Sequence, residues 1–275
     1  MEVAFIILHS GQPREILLST ALIRCIKTQV DGAFVYSLIR EEFRWLLESN
    51  PHIDGIFTYR KAPEEVLDPM RDLLADYLID LNGGREVRRF KNRLKVLDFT
   101  IRLGPDPDTW TERAFATCSL FDVSDDHAGP QLDADDRYLG LLPGSFHDGY
   151  LVLSLDRLSL ARTIPEEQII EMVVMTEKPM VVTGSKDDRT LADRIGQSTG
   201  CAVFPTCGDL SPAEILSIQK HANGMIAFDP FWGEAAEAMR IKSRLLCAPV
   251  SATQLKDIAL WGRSLFHPTH GRNSS

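Results

Sequence analysis

The opening stretch of the chain, Val3 to Lys27, is compatible with very few folds. VAFIIL is a short apolar run. The polar Gly/Pro loop HSGQPR follows, and then a segment with apolar periodicity that ends near Lys27. A short continuous apolar run bounded by turn residues reads as a strand buried on both faces, and a period near 3.6 reads as an amphipathic helix. Strand, polar loop and helix in succession make the opening unit of an open parallel sheet, where ligands sit outside the carboxyl ends of the strands. Glu15 falls where the loop becomes helix, so it sets a carboxylate at that edge.

The alternation continues along the chain. GAFVYSLI, IDGIFTY, ADYLIDLNG and VLDFTIRLG read as strands, with helices predicted over 41–49, 63–75 and 111–121. The stretch 122–149 is rich in Asp, Gly and Pro and reads as an interdomain linker. A second series follows, with strands at YLVLSL, PMVVTG, CAVFPT, GMIAFD and SRLLCAPV. Its predicted helices span 165–176, 187–198, 211–222 and about 233–239. The third of these carries Ser211 as N-cap, Pro212 at the first position and Glu214 at the capping-box position. The expected architecture is α/β, with two Rossmann-like domains of parallel strands over 1–145 and 146–267 and a polar, disordered tail over 268–275. Such a pair places its binding cleft between the domains.

Composition narrows the function. At 275 residues, 44% hydrophobic and 25% charged, the chain suits a soluble globular protein with one large core or two modest ones. A net charge of -9 and a pI near 5.3 argue against nucleic acid as a partner. Five scattered cysteines, Cys25, Cys118, Cys201, Cys207 and Cys247, form no disulfide framework and fit a reducing, cytoplasmic setting. No apolar run reaches membrane-spanning length, and the N-terminus lacks a signal-peptide pattern.

Several segments together resemble the family 9 glycosyltransferases, the ADP-heptose:lipopolysaccharide heptosyltransferases. EILLSTALIRCIK is similar to the family's Gly-Asp-Val-Leu-Leu-Thr-Thr-Pro helix start. NPHIDGIFTY and DYLIDLNG resemble its Asn-Pro-x-hydrophobic-Asp and Tyr-Asp-hydrophobic-Asp-Leu-x-Gly strands. In the second half RTIPEEQIIEM resembles a Lys-x-Trp-Pro-x-Glu segment, VVTGSKDDRTLADRI the strand and Gly loop after it, and GMIAFDPFWGEAAEAM the Asp-Ser/Thr-Gly-x-x-His-x-Ala-Ala donor loop. The resemblance covers nearly the whole chain. It implies a GT-B fold, an N-terminal acceptor domain and a C-terminal domain for a nucleotide sugar, with an ADP-heptose-like donor as substrate and no further cofactor. It also implies inverting transfer to a lipopolysaccharide-core or other cell-envelope saccharide or glycolipid, in contact with the inner membrane from the cytoplasm.

The resemblance assigns residues, with departures. Glu15 stands where the family has an Asp that acts as general base, and Arg14 replaces a Gly. Arg162 replaces the donor-phosphate Lys, Ile164 a Trp, and Asp188 takes the place of a ribose-binding acid. Asp229 is kept, whereas Pro230, Phe231 and Glu234 replace Ser/Thr, Gly and His. A carboxylate can take the acceptor proton and a guanidinium can clamp a diphosphate. The donor-loop changes oppose diphosphate binding, because Pro230 removes a donor, Phe231 adds bulk and Glu234 adds an anion. Each position also has a structural reading: Glu15 and Asp188 as first-turn helix acids, Arg162 as a surface Arg, Phe231 and Trp232 as packing. Arg60, Lys61 and the basic run holding Arg85 and Arg88 read as a surface for the acceptor's phosphate or carboxylate groups, as a face toward anionic lipid, or as a solvated helix face. No His/Cys set has metal-ligand spacing, and Asp106-Pro107-Asp108 and Asp133-Ala134-Asp135 lie in loops, so no metal is expected. The rival reading is a catalytically silent member of the family that acts as a binding or assembly partner.

Overall fold

The computed structural model describes residues 2–81, 87–94, 96–100, 110–155, 164–246 and 250–266. The chain divides into two compact units, Met1–Asp133 and Ala134–Ser275. The division falls ahead of the expected 145/146 boundary. The 3-10 turns Asp136–Leu141 and Gly144–Phe146 belong to the second unit, because Leu142 and Phe146 pack with Tyr150 and Val152 in its core.

The first unit holds β1 (Val3–His9), α1 (Pro13–Gln29), β2 (Ala33–Arg40), β3 (Gly55–Tyr59), α2 (Leu67–Arg71), β4 (Tyr77–Asp80), α3 (Val87–Leu94), β5 (Leu97–Thr100) and α4 (Trp110–Ala116). Its five strands are all parallel, in the order β3-β2-β1-β4-β5. The order reverses between β1 and β4, where Leu8 lies beside Asp80. This is the topological switch point of a doubly wound sheet, and ligands bind outside the strand ends at such points. Phe5, Ile6, Ile7 and Leu8 are all fully buried, as a central strand covered on both faces requires. Ile6 and Leu8 pack with Leu67, Met70, Phe90 and Leu94 on one face, while α1 buries Ile16, Leu22, Ile23 and Ile26.

The second unit repeats the plan with β6 (Leu151–Ser154), α5 (Glu166–Thr176), β7 (Met180–Thr183), α6 (Arg189–Ser198), β8 (Val203–Pro205), α7 (Pro212–Lys220), β9 (Gly224–Ala227), α8 (Pro230–Ala238), β10 (Ser243–Leu245) and α9 (Ala252–Ser264). Its strand order β10-β9-β6-β7-β8 is the same topology, with the switch point between β6 and β9. Alternation splits the core. Leu151 and Leu153 pack on the side of α5, α6 and α9, whereas Val152 and Val181 pack on the side of Ile218 and Ala236.

Three predicted helices are shorter than expected. The segment after β2 is a 3-10 helix, Glu41–Leu46, in which only Leu46 is buried. It lacks the apolar stripe that holds a longer helix to a core. The 63–75 helix breaks into a 3-10 turn, Pro63–Val66, and α2, because Pro69 has no N–H to continue the ladder. The 111–121 helix stops at Ala116, with a 3-10 turn Ser119–Phe121 beyond it. No helix among the described residues is long and apolar enough to cross a membrane.

Candidate functional site

At the carboxyl end of β1 the chain turns through Ser10, Gly11 and Gln12 into α1. Pro13 at the first helical position suits the turn, since its missing N–H has no intrahelical partner there. The Glu15 carboxylate accepts the Gln12 N–H at 2.9 Å, so the residue proposed as base also closes the loop it sits on. Just below, His9 is 3% exposed. The Ser19 hydroxyl donates to the Ile16 carbonyl at 2.6 Å, so at the 3.3 Å contact between them His9 Nδ1 is the donor to Ser19 Oγ. Nε2 therefore carries the lone pair, and among the described residues it has no hydrogen-bond partner. Burial pushes the imidazole pKa from 6.5 down to about 3, which keeps it neutral.

That shift is a stability statement. The unfolded chain takes up a proton at His9 below pH 6.5 and the folded chain does not until about pH 3. The contribution is fully present above pH 6.5 and is lost as pH falls toward 3, at about 1.4 kcal/mol per pH unit. Urea unfolding of the parent and of His9→Gln from pH 7 to 4.5 should show the parent losing roughly 2–3 kcal/mol more than the variant across that window. Parallel curves would mean that His9 does not carry the acid sensitivity.

The ends of β2 and β3 form a cavity of about 520 Å³ lined by Arg40, Glu41, Glu42, Tyr59 and Arg60. Arg60 pairs with Glu41 through two nitrogens, one of them at 3.2 Å, and Arg40 pairs with Glu42 at 3.3 Å. The Arg60 guanidinium holds the Glu41 carboxyl below its usual pKa. Glu65 is lowered too, by the backbone N–H groups of Arg60, Lys61 and Ala62 at 3.0, 2.8 and 3.1 Å. The buried Tyr59 hydroxyl donates to the His9 carbonyl at 3.5 Å and so ties this cavity to the β1 edge. Of the residues the sequence assigns to the acceptor, Arg60 lines the cavity and Lys61 is exposed beside it. Arg85 and the Arg88 side chain lie outside the described residues. From the same basic run, Lys91 turns inward and meets the fully buried Asp80 at 2.7 Å.

In the second unit Asp229 is the N-cap of α8. Its Oδ1 accepts the Phe231 N–H at 2.7 Å, and Pro230 occupies the first helical position. Glu234 lies half-buried in the next turn of the same helix. Phe231 and Trp232 meet edge to face at 5.2 Å, and Trp232 packs against the core. Asp188 is fully buried, and its Oδ2 accepts from the Ser185 N–H at 2.9 Å and the Ser185 hydroxyl at 2.7 Å. The structure thus gathers Asp229 and Glu234 on one helix and folds Asp188 into its own turn. Arg162 lies outside the described residues. Among those described, Cys25, Asp125 and Asp126 could group around a metal, but two Arg24 nitrogens hold Asp126 at 2.9 and 2.6 Å.

His9, Arg40, Glu41 and Glu42 lie outside the motifs, and Tyr59 and Asp80 fall inside NPHIDGIFTY and DYLIDLNG without a role assigned to either. One signal was available, a lone histidine ending an otherwise apolar strand.

Two α/β units, each a parallel sheet with its switch point beside its first strand, are the plan of the GT-B fold. The fold is that of the family 9 glycosyltransferases. A family 9 glycosyltransferase from Veillonella parvula superposes with a TM-score of 0.75 at 12% identity, over 96% of this chain and 90% of that one. The E. coli ADP-heptose lps heptosyltransferase II gives 0.73 at 11% identity, over 97% and 98%. An E. coli heptosyltransferase with ADP-2-deoxy-2-fluoro heptose gives 0.71 at 13% identity, over 94% and 98%. No family model and no curated protein sequence matches the chain.

Proposed function

We propose that this chain is a divergent family 9 glycosyltransferase. It moves heptose or a related sugar from a nucleotide donor to a lipopolysaccharide-core or other cell-envelope saccharide, with inversion and without a metal, at the cytoplasmic face of the inner membrane. The observation that carries the reading is the end-to-end likeness to a heptosyltransferase that holds ADP-2-deoxy-2-fluoro heptose. Glu15, at the carboxyl edge of β1, takes the proton from the acceptor hydroxyl. The cavity of Arg40, Glu41, Glu42, Tyr59 and Arg60 receives the acceptor, with Lys61 exposed beside it, and the resemblance assigns Arg85 and Arg88 to the acceptor as well. Arg162 neutralises the leaving diphosphate, and Asp229, Glu234 and Asp188 belong to the donor side.

The α8 terminus supports a second reading. The Asp229 carboxylate already caps it and Pro230 offers no N–H, so a diphosphate arriving there meets like charge instead of free donors. A catalytically silent protein that keeps the fold as a binding partner would look like this. Calorimetry with a panel of nucleotides and nucleotide sugars, ADP-heptose included, separates the two. The enzyme reading expects micromolar binding that Arg162→Ala weakens by at least about tenfold. Absence of binding across the panel overturns it in favour of the silent partner.

A further inference from the structure

The charges of this chain are segregated. From Met239 onward the sequence holds six cations, Arg240, Lys242, Arg244, Lys256, Arg263 and Arg272, against a single acid, Asp257, within a chain of net charge -9. All but Arg272 lie among the described residues, on or beside β10 and α9, and all five are exposed. β10 is an edge strand of its sheet, and α9 lies as a ridge beside it. The buried side of α9 is Leu255, Ala259 and Gly262. A Cβ at Gly262 would come within 2.9 Å of Leu151, so the helix sits close against the sheet.

A groove runs along each flank of the ridge. One, of about 250 Å³, is lined by Arg244, Leu245, Val250, Asp257, Ile258 and Trp261 among others, with the Arg244 guanidinium 5.4 Å from the Trp261 ring centre. The other, of about 230 Å³, is lined by Met175, Glu177, Lys256, Ala259, Leu260 and Arg263. Leu260 is 61% exposed, Leu245 42% and Val174 39%. The opposing charges are Asp257 in the first groove, Glu177 in the second, which pairs with Arg263 at 2.7 Å, and Glu237, whose carboxylate accepts from the Ser243 hydroxyl of β10 at 3.1 Å.

We propose that the face built by β10 and α9 is a docking surface for an anionic lipid bilayer. Cations on an edge strand guard it against pairing with another chain, but that role does not call for exposed leucines between them. A polyanion in water rewards the cations alone. A lipid interface rewards both, because basic side chains lie against anionic headgroups while aliphatic and aromatic ones enter the acyl boundary. The proposal deepens the inner-membrane part of the function reading by naming the face that docks, and it is independent of donor binding, so vesicle partition and nucleotide calorimetry can fail separately.

The test is co-sedimentation of the full chain with vesicles of phosphatidylcholine alone and of phosphatidylcholine mixed with phosphatidylglycerol, at low and high salt. The expected result is partition onto the phosphatidylglycerol vesicles only, weakened by salt. Arg244→Glu and Lys256→Glu should each lower it by about fivefold or more, and Leu260→Asp should lower it further. Arg44→Glu, in the first unit, makes the same change in net charge and should leave partition intact. Thermal melting of each variant verifies folding. Equal partition on both vesicles, no partition, a loss with Arg44→Glu equal to that with Lys256→Glu, or binding to heparin but not to phosphatidylglycerol would each overturn the proposal.

Discussion

Glu15→Gln should lower sugar transfer by about 10²–10⁴-fold, with the loss in kcat and little change in KM. The variant is informative because of what it keeps. The amide oxygen of Gln can still accept the Gln12 N–H that the carboxylate holds at 2.9 Å, so the loop into α1 remains closed. What is lost is the ability to take a proton. Glu15→Asp makes the complementary test. It restores the residue type of the family but shortens the side chain by one methylene, and a displacement of ~1 Å costs on the order of a hundredfold in rate. If steady-state transfer by Glu15→Gln equals that of the parent, Glu15 is a cap and nothing more.

How much of this was legible in the sequence depends on how local the cause is. The central strands declared themselves, because a parallel sheet covered on both faces needs unbroken apolar runs such as VAFIIL and YLVLSL. Caps were equally plain. The Ser211–Glu214 capping box predicted from spacing is present, with the Ser211 N–H donating to Glu214 at 2.7 Å. Glu15 and Asp188 could each be placed at the start of a helix, but the sequence could not show that Ser185 would occupy the Asp188 carboxylate from three residues away. The basic run from Arg85 to Lys95 looked like one surface, yet Lys91 leaves it for Asp80, which the chain brings near only once β4 lies in the sheet. The cavity of Arg40, Glu41, Glu42, Tyr59 and Arg60 has the same origin: its members come from the ends of two strands, and only strand pairing makes them neighbours. Local chemistry fixes caps and strands, whereas sites made by register appear only after the sheet is assembled.

Lys91→Ala should destabilise the first unit by about 3–5 kcal/mol, because removing one partner leaves a carboxylate buried with its countercharge gone. Asp80 is fully buried at the carboxyl end of β4, opposite Leu8, and Lys91 reaches it from α3 at 2.7 Å with 11% of its side chain exposed. Water cannot replace the ammonium there without opening the contact between α3 and the sheet, where Phe90 and Leu94 are buried beside Leu78. Asp80→Asn should cost less than Lys91→Ala, since a neutral amide carries a smaller desolvation penalty than an isolated carboxylate. The double variant Asp80→Asn, Lys91→Met should recover much of the stability lost in Lys91→Ala, because no unpaired charge remains inside. Urea unfolding of the three variants measures this. A loss below about 1 kcal/mol for Lys91→Ala would place the pair among surface ion pairs and would mean that Asp80 finds water or another partner. The consequence reaches the candidate site, since Asp80 and His9 end the two strands that flank the switch point. Asp80 faces α3, where Lys91 pairs with it, and His9 faces α1, where it meets Ser19, so the β1–β4 edge depends on both helices staying in place.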